Sequence, residues 1–306
     1  MTSGRWVVWV CLAALVGVSA CGKTNSGAHV APIIGESRTR IVSLAPHLTE
    51  LIFTAGAGNF LVGAVEFSDF PAPARELLRV GDAFRVDYEV ISSLAPDLIL
   101  VWPSGTPPEA VIHLRELGFE VLALEPLRLE DIADHLETIG QLAGTGQTAS
   151  ITAAKFRADI AALRQRYRNS LPLRVFYQVS SRPYFTVSGN HVIDEIIDLC
   201  GGRNVFTDLD GLAPAVTLES ILAADPEVII GSTMAKGQLG AQHDAWQIPW
   251  LRWQRLTAVR NNNLFSVSAD LINRSSTRII DGARQICADL EIASERQKRT
   301  APLQTG

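Results

Sequence analysis

No Walker motif, G-x-S-x-G elbow, zinc-protease helix or C-x-x-C pair occurs in the 306 residues, so the usual sequence signs of nucleotide hydrolysis, acyl transfer, metalloproteolysis and dithiol exchange are missing. Gly56-Ala-Gly58 with Gly63 departs from the dinucleotide spacing and closes a helix instead of opening one, which makes it a helix C-cap. Histidine is sparse and scattered. His47, His113 and His135 fall in the first half, His191 and His243 in the second, and His29 ahead of both, with no pair at metal-ligand spacing. A basic tract is also absent, and the chain is acidic overall at −5, which argues against nucleic acid as a partner. The apolar run Trp6–Ala20 is 15 residues, short of the ~20 that a membrane-spanning helix needs.

That run, led by Arg5, has the form of a secretory signal over residues 1–20. It ends in Val18-Ser-Ala-Cys21, which resembles the lipobox of bacterial lipoproteins, where the cysteine is lipidated and becomes the new N-terminus. An ordinary signal peptide cleaved after Ala20 is the alternative. Either way the mature chain is extracytoplasmic, with 26 basic against 32 acidic residues, a net −6. Of the four cysteines, Cys11 leaves with the signal and Cys21 is assigned to lipid, so Cys200 and Cys287 remain. Two thiols in an oxidising compartment suggest a disulfide; two buried unpaired cysteines are the alternative. Residues 21–38 are small and polar, with the composition of a flexible tether.

What is present is a repeat. Glu89-Val-Ile-Ser-Ser-Leu-Ala-Pro-Asp-Leu-Ile-Leu100 aligns without a gap to Glu219-Ser-Ile-Leu-Ala-Ala-Asp-Pro-Glu-Val-Ile-Ile230, 130 positions later. Each copy reads as a short helix opening on the glutamate, stopped at proline, then a buried strand. Asp87 and Thr217 stand two residues ahead as helix caps. A second pair, Glu50–Asn59 and Glu195–Asn204, repeats in the same order. Two segments in register point to a duplicated lobe, and the length exceeds one ordinary domain.

Strand and helix alternate throughout, which favours parallel sheets with crossover helices. Expected strands are 40–44, 61–65, 98–102, 120–124, 174–179 and 264–268, with helices at 46–56, 108–117 and 191–200 and one carrying Trp250 and Trp253. Residues 130–169 read as helical apart from Gly144-Thr-Gly146. The predicted organisation is an N-terminal α/β lobe at 39–144, a linking helix at 145–170, a C-terminal α/β lobe at 171–294 and a frayed polar tail at 295–306. Ligands of open parallel sheets sit at the carboxyl ends of strands. Phe67, Phe70, Trp102 and Tyr184 follow strands here, as do Asp270 and Arg274, one acceptor and one planar donor fork, and His47 follows the first strand. Singly, each aromatic is more often core than ligand contact, and the histidine more often a solvated or satisfied side chain; their shared placement after strands raises the set.

Several segments carry a family resemblance: Ser43-Leu-Ala-Pro-His-Leu-Thr-Glu-Leu51, Ser68-Asp-Phe-Pro71, Pro96-Asp-Leu-Ile-Leu-Val-Trp102, Leu199-Cys-Gly-Gly-Arg-Asn-Val-Phe206 and Asp270-x-x-x-Arg274 before Arg278-Ile. From about Arg40 to Leu290 the chain resembles the substrate-binding proteins of ABC importers for cobalamin and iron chelates, closest to the cobalamin binders. The resemblance implies two α/β lobes joined by a rigid helix, a monomer that is not an enzyme, cobalamin (a corrinoid) as transported ligand and not catalytic cofactor, an ABC permease and ATPase complex as partner, and a place in the periplasm or cell envelope, anchored to the membrane through lipid. It implies a ligand site of His47, Phe67, Phe84, Trp102, Asp270 and Arg274, to which Asp69 of the Ser68–Pro71 segment and Tyr184, by its place after a strand, are added, with no resident metal. It also implies permease docking through Glu89 and Glu219, and a disulfide between Cys200 and Cys287. Val179 and Ala213 stand where the best-known pattern has aromatics, and Phe84 where it has tryptophan. Haem or a ferric siderophore on the same fold is the sibling reading. An envelope enzyme or metal-site protein using His47 is the reading from another class.

Overall fold

The computed structural model describes residues 39–82, 84–233 and 246–300. The expected signal segment, Cys21, the tether and residues 301–306 lie outside them. The first lobe is a five-stranded parallel sheet of β1 (Ile41–Ser43), β2 (Leu61–Ala64), β3 (Leu78–Arg79), β4 (Leu98–Val101) and β5 (Val121–Ala123), in the order β3-β2-β1-β4-β5. Its helices are α1 (Pro46–Thr54), α2 (Tyr88–Leu94), α3 (Pro108–Glu116) and α4 (Leu129–Leu142). A 22-residue helix, α5 (Gly146–Tyr167), about 33 Å long, leads to the second lobe.

There β6 (Leu173–Gln178) opens the chain of elements, followed by the short strands β7 (Ser180–Ser181) and β8 (Tyr184–Phe185), α6 (Val192–Leu199), β9 (Gly202–Asn204) and β10 (Ala215–Val216). Then come α7 (Leu218–Ala224), β11 (Val228–Thr233), α8 (Ile248–Leu251), α9 (Thr257–Arg260), β12 (Leu264–Ser268), α10 (Ala269–Ile272) and α11 (Ile279–Thr300). The second sheet is parallel in the order β12-β11-β6-β9, and β7, β8 and β10 form a small antiparallel sheet beside it. Each sheet is therefore wound the same way: first strand central, second strand on one side, and the strand that follows the glutamate repeat on the other.

The repeat is structural down to single bonds. Asp87 accepts from the Val90 N–H at 3.0 Å, and Thr217 from the Ser220 N–H at 3.1 Å, so both caps form as the sequence predicts. The helices begin one residue before each glutamate, at Tyr88 and Leu218. Both end on a left-handed residue ahead of the proline, Ala95 at φ 43° and Asp225 at φ 40°, because a residue preceding proline is driven out of the helical region. The Arg40 N–H donates to Asp97 at 2.7 Å and the Arg174 N–H to Glu227 at 2.9 Å, while the two guanidinium groups donate to the carbonyls of Leu94 and Asp225.

Three apolar clusters follow from this winding. The outer face of the first sheet packs Val42, Ile99 and Val101 on Ile91 and Leu114, and the outer face of the second packs Phe176 and Ile229 on Ile221 and Trp250. The inner faces do not form separate cores. Leu48, Leu51 and Ile52 of α1, Leu136 and Ile139 of α4, Phe156 and Ile160 of α5, Ile196 of α6 and Ile286 of α11 belong to one continuous cluster. A shared interior of this kind resists rotation of one lobe against the other.

Two expectations need correction. The helix carrying Trp250 stops at Leu251, so Trp253 lies beyond it; Trp250 is the anchored one, with its indole N–H donating to Gln178 at 2.8 Å. The chain also does not fray at Glu295. α11 continues through Thr300, held where Arg296 donates to the Asn262 carbonyl and Gln297 to Glu227. Among the described residues no helix is long and apolar enough to cross a membrane.

Cys200, at the end of α6, is disulfide-bonded to Cys287 of α11. The bridge closes a loop over a sequence separation of 87. By chain entropy such a loop is worth about 4–5 kcal/mol. Replacing both cysteines by serine is expected to lower Tm by about 10 °C in scanning calorimetry, the shift such a loss produces in a domain of this size.

Candidate functional site

Pro46 at the first turn of α1 fixes the backbone so that the chain leaves β1 directly into a helix, with His47 at the carboxyl end of the sheet. His47 is buried, its Nε2 has no hydrogen-bond partner, and its ring stands edge-on to Trp102 at 5.1 Å between centroids. Burial, with smaller contributions from His135 and Arg274, lowers its pKa to about 3, so the imidazole is neutral. Trp102 directly follows β4 and is held by Glu125, which accepts its indole N–H at 2.7 Å and also the backbone N–H and hydroxyl of Ser104 at 2.8 and 2.6 Å. From the second lobe, His191 caps α6 by accepting the Ile193 N–H at 3.1 Å. Burial lowers its pKa to about 4 against the opposing pull of Glu125.

The loop after β2 carries Phe67 at φ 63°, a left-handed conformation unusual for a bulky residue, and leaves the ring 71% exposed. Phe84, beside the Gly81–Val86 bridge, is 91% exposed. The loop itself is pinned from several sides. The Thr49 hydroxyl meets that of Ser68 at 3.1 Å, Arg79 donates to the Ser68 carbonyl at 3.2 Å, and Arg75 to the Asp69 carbonyl at 2.9 Å.

Asp69 and Arg274 cross the lobe boundary. Arg274 Nη1 donates to Asp69 at 2.6 Å and to Glu50 at 3.1 Å, and Nη2 lies 3.4 Å from Asp270. Burial alone would raise the Asp69 carboxyl, but the hydrogen bond and charge of Arg274 hold it below its ordinary value. Glu50, only 2% exposed, also accepts from the Ser276 hydroxyl at 2.6 Å and from Nε and Nη2 of Arg278 at 2.9 and 2.5 Å. The Arg278 guanidinium in turn sits 3.8 Å from the centre of the Phe70 ring.

The sequence-expected residues are thus brought together in part. His47 meets Trp102, and Asp69, Asp270 and Arg274 form one charged group. Phe67 and Phe84 project from neighbouring loops of the first lobe. Tyr184 stands apart, on β8, with its ring 5.5 Å from that of Trp250 on the second lobe's outer cluster. Glu89 and Glu219 are both exposed, in the first turns of α2 and α7. Sequence reasoning missed the roles of Glu50, Glu125, Ser276 and Arg278. Glu50 had a signal: it is a carboxylate set between Leu48, Leu51 and Ile52 in a helix with no lysine or arginine, where a charge needs a partner.

The neutral His47 makes stability depend on pH. Its folded pKa is depressed, so between the ordinary histidine value and about 3 the unfolded chain binds one more proton, and stability is lost as pH falls through that window. From pH 7 to pH 5 this single group removes about 2 kcal/mol. The wild-type melting temperature is therefore expected to fall with pH more steeply than that of His47→Asn, the slopes differing by about 5 °C over the interval.

A family model described as periplasmic binding protein matches residues 41–271. A vitamin B12-binding protein of Vibrio cholerae is 37% identical over 260 residues, covering 84% of this chain and 91% of that protein. The crystal structure of periplasmic vitamin B12 binding protein BtuF of Vibrio cholerae matches with a TM-score of 0.74 at 37% identity, over 84% of this chain and 98% of the other. The periplasmic heme-binding protein RhuT from Roseiflexus sp. RS-1 matches with a TM-score of 0.71 at 24% identity, over 83% of this chain and 98% of that one, a likeness of fold alone. The chain belongs to the periplasmic binding protein family.

Proposed function

We propose that this protein captures a corrinoid, cobalamin in the first instance, between its two lobes and delivers it to an ABC permease. It acts outside the cytoplasm as a binding protein, tethered by lipid on Cys21. The observation that carries the reading is the pair of large apolar rings left in water, Phe67 at 71% and Phe84 at 91% exposure. Leaving two such rings in solvent at the carboxyl ends of the first lobe's strands is unfavourable unless something flat and apolar covers them. With Trp102 they offer aromatic faces to a macrocycle. The relatives named as vitamin B12-binding proteins supply its chemical identity.

The second lobe meets the ligand's polar edge. Asp270 accepts from amide N–H groups, and Arg274 uses the part of its donor fork not committed to Glu50 and Asp69 for amide carbonyls. The desolvated His47, kept neutral, contributes apolar surface beneath Trp102 and no positive charge. Haem is the second reading, favoured by that same neutral imidazole with its partnerless Nε2, a group able to bind iron.

Titration of the purified protein with cyanocobalamin, haem and a ferric siderophore, followed by tryptophan quenching or calorimetry, separates the readings. Saturation by cyanocobalamin is expected, with affinity reduced about tenfold in Phe67→Ala and in Phe84→Ala. Saturation by haem with no response to any corrinoid overturns the ligand.

For delivery, Glu89 and Glu219 are the docking carboxylates, presented by equivalent helices on the two lobes as a matched pair. Rim charges of this kind steer and register a partner. Reversing both charges, Glu89→Lys with Glu219→Lys, is expected to abolish uptake in a transport assay while leaving ligand affinity within about twofold. Unchanged uptake removes the docking role.

A further inference from the structure

The second repeated segment aligns Glu50 with Glu195, residues to which the duplication by itself assigns no role. Each lies on the first helix of its lobe, α1 or α6, and that helix packs on the last helix of the same lobe, α4 or α11. Each carboxylate nevertheless bonds to the start of the last helix of the other lobe. Glu50 takes the Ser276 hydroxyl and the Arg278 fork, immediately ahead of α11. Glu195 takes the backbone N–H of Leu129, the first residue of α4, at 2.8 Å, and Arg164 of α5 at 3.0 Å, with Arg128 3.9 Å away. The exchange of partners is the one that relates the two lobes to each other. A duplicated chain whose helix ends are crossed in this way has two symmetric fastenings between its halves.

We propose that Glu50 and Glu195 are a pseudo-twofold pair of cross-lobe clasps that set the angle between the lobes and so position the two halves of the ligand site. The two are not equal. Glu50 is 2% exposed, and Arg274 and Arg278 beside it are largely covered, so water and salt reach this clasp poorly. Glu195 is 19% exposed, and its arginines stand 58% and 72% in solvent, so this clasp is screened. Only the Glu50 clasp touches the site directly, because Arg274 Nη1 is shared with Asp69 two residues from Phe67. Glu50 is a positioning residue that acts through Arg274; Glu195 holds the far side. The ligand readout of the test rests on the corrinoid reading above, and the shape readout does not.

The test uses the full chain with Glu50→Gln, Glu195→Gln and the double variant, measured by small-angle scattering without ligand and by the rate of cyanocobalamin dissociation. Scattering from the double variant is expected to show a wider spread of interlobe distances than the wild type. Dissociation is expected to accelerate about tenfold in Glu50→Gln at any salt concentration. In Glu195→Gln it is expected to accelerate about twofold at low salt and not at ~1 M, where charges are screened within about 3 Å. Should Glu50→Gln fail to fold, Arg278→Lys, which keeps the charge and loses the two-pronged geometry, carries the same comparison. A purely structural role lowers Tm and leaves the scattering of the folded protein unchanged, and that outcome overturns the proposal. If the wild type does not bind cyanocobalamin, the ligand reading falls while scattering still decides the clasps.

Discussion

Most of what distinguishes this molecule from two independent α/β lobes passes through the carboxylate of Glu50. An ionised group at 2% exposure is tolerated only with nearly all its acceptor sites filled. Here they are filled by Arg274, Ser276 and Arg278, all from the other lobe and more than 220 positions away. Removing one partner from a buried pair costs about 3–5 kcal/mol, more than the net value of the pair itself, because the remaining charge is left without a partner. The bond therefore acts as a constraint on relative position more than as a source of stability. Arg274 carries the constraint outward to Asp69, and Asp69 to the loop that holds Phe67 away from any packed environment.

The apolar interior and this polar fastening work in the same direction. The inner faces of both lobes, with α5, share one core, so an opening motion would have to shear packed side chains as well as part buried charges. The outer clusters of the two sheets are private to each lobe. Such an arrangement favours a preformed site over one assembled by closure. Within the first lobe, Glu125 likewise fixes the Trp102 indole through the ring N–H.

The fold was legible because its signals are local. Alternation of apolar runs with helical stretches gave β1, β2, β4, β5, β6 and β12 to within a residue or two, whereas the two- and three-residue strands β3, β7, β8, β9 and β10 left no such signal. Asp87 and Thr217 announced the starts of α2 and α7 through ordinary capping chemistry, and the internal repeat announced that the lobes are wound alike. The errors were also instructive. The tail after Glu295 looked polar and free, yet it is helical because Arg296 and Gln297 find acceptors at Asn262 and Glu227, which lie far off in sequence. Trp253 looked like a helical partner of Trp250, but α8 ends at Leu251.

For the site, the residues after strands could be named from the sequence, because strand ends and their side-chain chemistry are both one-dimensional facts. Their grouping could not. That Asp69 and Arg274 form one unit depends on which loops meet across the lobe boundary, and that Tyr184 turns toward Trp250 and that Glu125 steadies Trp102 depend on which loops meet within each lobe. The sequence by itself determined two lobes of parallel α/β winding, the caps that open α2 and α7, and the aromatic character of the strand ends. Only the tertiary structure decided which charges are paired and which rings stay exposed. A carboxylate's partner and a ring's cover are set by distances between segments from 23 positions apart, for Trp102 and Glu125, to 228, for Glu50 and Arg278, and no local pattern encodes them.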